Sequence, residues 1–400
     1  MAQPEFDIVT VGGGLGGAAL AKIMAEHGAR VLVVEPERRF RDRVRGEYLV
    51  PWGVAEARGL GIADALAAGG AHEAPWLDLL VGGMPVSHRD LRETTPQQVA
   101  PLCFQHAAMQ EAVLEAAGTR GAAIWRGARG RGLGPGPTVL VERDGREESV
   151  RARLVVGADG RTSAVRGWAG FPTRRAPDRL RFCGVLLDGV ATPDDTSFMV
   201  TSPGEGCLSY VFPQGSARAR AYFGWHTAKG IERMSGAADL PRFTAECVKT
   251  GASPDWFAAA RIAGPLATFD ASDSWVDHPY RDGVALVGDA ASTSDPHWGQ
   301  GMSHTLRDVR LLAEALTASD DWEAAGHAYA AAHDRTCEIT RQGESWVTTM
   351  LMDVGPDSDR IRERALPLLA QDPTRFPDYG FSGPDGELDD DVRRRFFGEI

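Results

Sequence analysis

The sequence predicts an α/β chain in which a parallel-sheet lobe is interrupted by a mostly-β lobe and closed by C-terminal helices. Three observations predict it. Residues 6–34 read as strand, glycine turn, helix and strand. Residues 174–280 break into short runs in which apolar and polar side chains alternate. The strand-then-helix pattern returns at 283–316. At 400 residues the chain is also too long for one small core, so two lobes or more are expected.

The first pattern carries the most chemistry. A β-branched run leads into Gly12, Gly14 and Gly17, the spacing G-x-G-x-x-G, with Leu15 and Gly16 between the last two. The first glycine permits a tight turn, the second lets backbone approach a pyrophosphate, and the third lets helix pack on strand. A helix opening there turns unpaired N–H groups and its positive dipole end toward phosphates. The next strand ends at Glu35, followed by Pro36. A carboxylate about 20 residues beyond the glycines takes ribose hydroxyls. These residues specify a Rossmann-like dinucleotide site for an unphosphorylated ribose, without separating FAD from NAD.

Next comes PERRFRDRVRGEYLVPWG. Arg38, Arg39 and Arg41 read as a solvated loop, whereas Arg43 and Arg45 alternate ahead of Gly46 and can both point toward the phosphates. A helix is expected over 54–60. Residues 76–88, turning at Gly82-Gly83, leave the nucleotide lobe as strands, and 96–101 lead back to it. The stretch 105–117 has helical apolar spacing and stops at Gly118. The Gly/Pro-rich segment 127–137 is expected to be a mobile connection, ahead of a hairpin that turns at Asp144-Gly145. A buried strand at 154–157 opens into Ala158-Asp159-Gly160 and a short helix, and helical insertions interrupt the β lobe at 240–247 and near Trp256. The late strand ends at Gly288-Asp289, and helix runs on to residue 351 before a polar, Pro/Gly-broken tail. The expected division is a discontinuous nucleotide-binding domain at 1–75, 97–172 and 281–345, a β-sheet substrate domain at 76–96 and 173–280, and a C-terminal helix and tail at 346–400.

Composition excludes several classes. With 43 basic and 55 acidic residues the net charge is −12, which opposes nucleic acid and anionic membrane as partners. Cys103, Cys183, Cys207, Cys247 and Cys337 are odd in number and form no C-x-x-C pair, so reduced thiols in a cytoplasmic protein are expected, and no metal site. No charged-then-apolar leader precedes the first strand, and no apolar run approaches ~18 residues, so neither a signal peptide nor a membrane span is expected. A monomer or a homodimer is the expected state.

Three signatures, GGGLGG, GADGRTSAVR and VALVGDAASTSDPHWGQGMSHTLRD, stand in this order along the chain. Together they resemble the class A flavin-dependent monooxygenases, the group typified by para-hydroxybenzoate hydroxylase. The likeness covers residues 6–172 and 281–345, and the intervening β lobe is similar in layout more than in sequence. The resemblance implies FAD as the bound cofactor and NAD(P)H as a transient electron donor with no nicotinamide domain of its own. It places Gly12, Gly14, Leu15, Gly16 and Gly17 on the pyrophosphate, Glu35 and Pro36 at the adenosine ribose, and Arg43 and Arg45 near the phosphates. Gln105, at the start of a helix, is a further cofactor contact. Asp159 and Gly160 match the Asp-Gly motif that serves FAD and the nicotinamide donor, a role compatible with helix capping. Gly288 and Asp289 match the Gly-Asp motif on the ribityl hydroxyls. Pro296, Gly299, Gln300, Gly301 and Met302 would meet the flavin, whose reduced form carries negative charge that a positive helix end stabilises.

The implied activity uses O2 to hydroxylate or epoxidise an aromatic, polycyclic or otherwise lipophilic small molecule through a flavin C4a-hydroperoxide, in a site that keeps water out. On GCLSYVFP, Leu208, Tyr210 and Phe212 share one face; on ARARAYFGWH, Tyr222, Gly224 and His226 share a face opposite Phe223 and Trp225. One such face should meet the flavin, which makes Tyr210, Phe212, Tyr222 and His226, with Trp298, the substrate-contact candidates. His226, Tyr210 and His297 are candidates for a catalytic role, with no base assigned among them. Trp298 could equally be a packing residue. Two other activities share this fold. A reductase of the geranylgeranyl-reductase type has a similar Tyr-x-Phe-Pro strand, and a flavin-dependent halogenase would need W-x-W-x-I-P, where this chain has Tyr210-Val211-Phe212-Pro213. A non-catalytic FAD-binding module would be expected to lose the flavin-facing glycines, and Gly299 and Gly301 are present.

Overall fold

A computed structural model describes residues 5–44 and 46–400. Its organising layer is a six-stranded sheet in the order Tyr280–Arg281, Val284–Leu286, Leu154–Gly157, Ile8–Val11, Val31–Glu35, Ala123–Arg126. All neighbours in it run parallel except the first pair. Parallel strands need covered faces, and both faces are covered. On one side lie the helices Leu15–Glu26, His106–Thr119 and Gly301–Ala318, whose apolar stripes close a single core with Val33, Val156 and Ala285. On the other lies a three-stranded antiparallel layer, Arg129–Gly134, Thr138–Arg143 and Arg146–Arg151.

That layer corrects one expectation. The Gly-rich stretch 129–134 is a strand rather than a mobile connection, because its missing side chains give room to a neighbour: a Cβ on Gly130 would stand 3.2 Å from the Trp168 ring. The hairpin turn behaves as expected, with Asp144 and Gly145 both at positive φ.

A seven-stranded sheet forms the second lobe, in the order Arg261–Asp270, Leu180–Asp188, Arg218–His226, Cys207–Pro213, Thr196–Ser202, Trp76–Val81, Met84–Asp90. Trp76–Val81 pairs in parallel with Thr196–Ser202, so the two separated stretches of β sequence meet in one sheet. One face of this sheet packs Phe223 and Trp225 against the helix Leu240–Thr250. The other face carries Phe182, Tyr210, Phe212 and Tyr222 toward the first lobe.

The C-terminal region differs from the expected polar tail. After the helix Trp322–Leu351 come Pro356–Gln371, Tyr379–Ser382 and Asp390–Phe396, all helical. Tyr379, Phe381, Phe396 and Phe397 are buried with Trp52, Trp298 and Trp346 in one core. Few aromatic side chains among many charged ones are enough to dock the segment, since each buries about 150–250 Å². Among the described residues, no helix is long and apolar enough to cross a membrane, and no group of three or more His, Cys, Asp or Glu is disposed to hold a metal ion.

Candidate active site

A cavity of about 270 Å³ is lined by the turns at the ends of the parallel strands and by the aromatic face of the seven-stranded sheet. The turns contribute bare backbone. Gly14, Leu15, Gly16, Gly160, Gly288, Asp289, Pro296, Gly299, Gly301 and Met302 all line it. A Cβ on Gly160 would meet nothing within 4 Å, and one on Gly299 or Gly301 would meet nothing closer than 3.6 Å, so open space lies before these positions. Two helices start at this wall, Leu15–Glu26 behind Gly14 and Gly301–Ala318 behind Gln300, and neither has a side-chain cap. Their unpaired N–H groups are the donors an anionic ligand requires. Gly12 and Gly17 do not line the cavity; they let the turn close. A Cβ on Gly12 would lie 2.9 Å from the Asp159 nitrogen, and one on Gly17 would run into the Gly12 carbonyl.

Glu35 sits at the end of its strand with only 5% exposure. Its Oε2 accepts the Gly13 N–H at 2.8 Å, and Oε1 accepts the Glu37 N–H at 2.7 Å. Burial raises its pKa and the two backbone donors oppose that rise. Each oxygen keeps a second lone pair for a ribose hydroxyl. Asp159 is a helix cap: its carboxylate accepts from the Ser163 hydroxyl and from the N–H groups of Ala164 and Val165, while Gly160 beside it faces the cavity. The Gly288 N–H is held by Asp308. A long dinucleotide therefore fits this wall, since glycine backbone, free helix ends and a ribose carboxylate are all in place.

Several candidates stand elsewhere. Pro36 is exposed, and Arg43 is exposed and paired with Glu37 rather than aimed at the turns. Arg45 lies outside the described residues. Gln105 is exposed; the next residue, His106, lines the cavity instead, its Nδ1 donating to the Gly46 carbonyl at 2.8 Å, with Gln110 one turn on. Gln300 is buried but its amide turns to Glu344, at 3.4 Å. Trp298 faces away from the cavity, against Phe376, Tyr379 and Phe381, with Gly380 close to its ring. His297 stacks on Trp298, and burial pushes its pKa down to about 3, so it is neutral. His226, at the end of its strand, accepts the Ala228 N–H and lies 3.6 Å from Asp353; it does not line the cavity. Trp298, Gln300 and His226 share a cause, since each is engaged by residues of the C-terminal region, whereas Pro36, Arg43 and Gln105 are exposed.

The aromatic candidates do come together. Tyr210, Phe212 and Tyr222 line the cavity with Tyr48, Phe182 and Phe269. Tyr48 stacks on Phe212 at 4.5 Å, and the Tyr210 hydroxyl donates to the His297 carbonyl at 2.7 Å, tying the sheet to the 294–300 turn. Sequence reasoning missed the polar group in this chamber. Glu47 lines the cavity and accepts a hydrogen bond from the Tyr222 hydroxyl. Behind it Arg220 is fully buried, 2.7 Å from Asp42 and 3.3 Å from Glu47. An arginine alternating with Tyr222 in the middle of an aromatic strand was the available signal, because a buried guanidinium demands carboxylate partners. A second, polar cavity of about 550 Å³ is lined by Asp273, Asp295 and Glu344 among others, with Arg179 and Arg341.

The family described as "FAD binding domain" matches residues 5–343. A 6-methylpretetramide 4-monooxygenase from Streptomyces rimosus is 28% identical over 92% of this chain and 89% of its own length. The ubiquinone hydroxylase UbiL from Rhodospirillum rubrum is 30% identical over 80% of this chain and 74% of its own. Among solved structures, P. aeruginosa PqsL in complex with 2-aminobenzoylacetate superposes with a TM-score of 0.69 over 87% of this chain and 97% of its own, at 22% identity, which speaks to the fold.

Proposed function

The chain belongs to the FAD-dependent monooxygenase family, and from that premise we propose that it hydroxylates an aromatic or polycyclic small molecule with O2 and NAD(P)H. The observation that carries the proposal is the continuity of one cavity, glycine-lined along the cofactor wall and aromatic along the other. FAD, when bound, supplies the redox and oxygen-activating chemistry.

The chain's own residues bind, orient and dry the site. Glu35 takes ribose hydroxyls, the bare amides behind Gly14 take phosphate, and Asp289 takes hydroxyls of the sugar chain. The open end of the helix Gly301–Ala318 offers positive potential to the cavity and would favour the negative charge of a reduced flavin bound there. Phe182, Phe212 and Phe269 give a flat substrate apolar faces and displace water, which protects reactive oxygen species from decay. Nicotinamide is a visiting reductant in this reading.

Purified protein should show a flavin spectrum and oxidise NADH or NADPH faster when a phenol or polycyclic phenol is added under air, with oxygen from O2 in the product. Flavin reduction without an oxygenated product would assign a reductase instead, and a chloride-dependent product a halogenase. A colourless protein that does not take up FAD would overturn the proposal.

A further inference from the structure

The turn Pro296–Trp298 has two sides. Pro296 and the following Gly299 line the cavity, while the Trp298 ring leaves the other way and is buried against the C-terminal segment 376–385. Phe376, Tyr379 and Phe381 surround the indole with ring centroids 5.7, 6.3 and 5.7 Å away. A Cβ on Gly380 would stand 2.9 Å from the ring, so the segment closes on it without spare room. The indole Nε1 is buried with no hydrogen-bond partner, and the ring is therefore held by packing alone.

The segment is itself pinned at four points. Trp52 Nε1 donates to the Gly380 carbonyl at 3.2 Å, and Gln97 Nε2 donates to the Ser382 carbonyl at 2.7 Å. Asp385 accepts from both terminal nitrogens of Arg307, at 2.7 and 3.0 Å, on the helix Gly301–Ala318 whose open end faces the cavity. Asp378 accepts from both terminal nitrogens of Arg89, at 2.6 and 2.8 Å. Arg89 stands on Met84–Asp90, the outer strand of the seven-stranded sheet. Such two-pronged pairs fix orientation as well as distance. The segment thus joins the sheet that carries the aromatic chamber to the helix behind the cofactor wall.

Resting on the monooxygenase reading above, we infer that Trp298 is a positioning residue: the C-terminal segment clasps its ring and so seats the Pro296–Gly299 turn at the cofactor wall, with Arg89 and Asp378 tying that seat to the aromatic sheet. The Tyr210 hydroxyl holds the same turn through the His297 carbonyl, so two consecutive residues of the turn are gripped by different elements. Trp298 does not line the cavity and acts only through the turn. A turn that drifts by about 1 Å changes the distance between cofactor and substrate, and displacements of that size cost orders of magnitude in rate.

The test compares Trp298→Ala, Trp298→Phe and Asp378→Ala in the FAD-loaded full chain, with Trp346→Phe as control. Trp346 shares the aromatic core but packs on Phe397 and does not line the cavity. The readouts are visible circular dichroism of the bound flavin, product formed per NAD(P)H consumed, and Tm of the FAD-free protein. Trp298→Ala should change the flavin dichroism and lower product per NAD(P)H by about tenfold or more. Trp298→Phe, which keeps an aromatic plate in the clasp, should restore most of that yield. Asp378→Ala should change dichroism and yield in the same direction although it removes no core volume. Trp346→Phe should lower Tm and leave both flavin readouts at the parental values. If Trp298→Ala does not fold, Asp378→Ala against Trp346→Phe decides by the same readouts. A loss confined to Tm in Trp298→Ala or Asp378→Ala would overturn the inference, and so would an equal flavin response to Trp346→Phe. A parent protein that binds FAD but forms no oxygenated product would count against the monooxygenase reading alone, because the dichroism needs only bound flavin.

Discussion

Asp308 accepts the Gly288 N–H at 2.8 Å and so fixes, from inside the core, the turn that presents Asp289 to the cavity. Its other oxygen lies 2.7 Å from His333 Nδ1, and both side chains are buried. Burial opposes the charged imidazole, but Asp308 and Cys337 raise its pKa well above the ordinary value. Asp308→Ala would leave a buried imidazole and a backbone donor without their acceptor, with an expected loss of about 2–5 kcal/mol. Asp308→Asn keeps an acceptor for Gly288 and should cost less stability while loosening FAD. Denaturant unfolding and flavin retained through gel filtration measure the two effects; an Asp308→Ala protein as stable as the parent would refute the assignment.

The glycines divide into those that close the turn and those that face the cofactor. A methyl on Gly17 meets fixed backbone at Gly12, whereas a methyl on Gly14 comes no closer than 3.0 Å to the end of the flexible Gln110 side chain. Gly17→Ala should therefore destabilise the protein even without FAD, by about 1–3 kcal/mol or more. Gly14→Ala should keep FAD-free stability within about 1 kcal/mol and lose FAD affinity, because the methyl stands in the groove. Matched melting curves of the FAD-free and FAD-loaded forms separate the two, and equal losses from both variants would contradict the division.

Stability should also fall with rising pH above neutrality. Burial and the charge of Asp295 push Asp273 up to about 8, burial pushes Asp295 up to about 6, and burial with both aspartates raises Glu344. The folded state holds protons that the unfolded chain has released above the usual carboxylate range, so stability drops as pH passes through the raised values. His297 and His304, both lowered to about 3 by burial, act oppositely, but their contribution is complete once pH exceeds about 6.5. His333, raised by Asp308, adds to the fall. From about pH 6.5 to 8.5 Tm should decline, and Asp273→Asn should flatten that decline relative to the parent. Parallel Tm–pH curves for parent and variant would show that Asp273 carries no shifted proton.

What could be read from sequence follows from which interactions are local. The turn at Gly12–Gly17, the strand that ends at Glu35 and the alternation of Tyr210 with Phe212 are set by nearest neighbours, and the structure has them as expected. Alternation also grouped Tyr222 with His226, although whether such a face meets the cavity depends on what covers each end of the strand. Long-range partners were invisible. Arg220 meets residues 42 and 47 across about 175 positions of chain, and Trp298 is claimed by aromatic residues from 376 to 381. Asp159 was legible in both roles, and its capping role is the one its side chain performs.

His226 tests how far the cavity assignment reaches. It stands four residues beyond Tyr222, about 13 Å along the strand. Its Nδ1 accepts the Ala228 N–H at 3.2 Å, and its Nε2 faces Asp353. Burial lowers its pKa, and Asp353 works against that shift. The ring is thus committed to a turn and to the C-terminal helix region, away from the chamber. His226→Gln should cost about 0.5–1 kcal/mol through the lost cap and leave turnover within a factor of about two. Tyr210→Phe is the contrast, because its hydroxyl ties the chamber wall to the His297 carbonyl beside the cofactor turn. Losing that bond should cost about 0.5–1.5 kcal/mol and let NAD(P)H oxidation run with less product formed. The two variants are compared by product formed per NAD(P)H consumed. A His226→Gln protein that retains FAD yet loses turnover a hundredfold would place the reacting substrate at the far end of the strand instead.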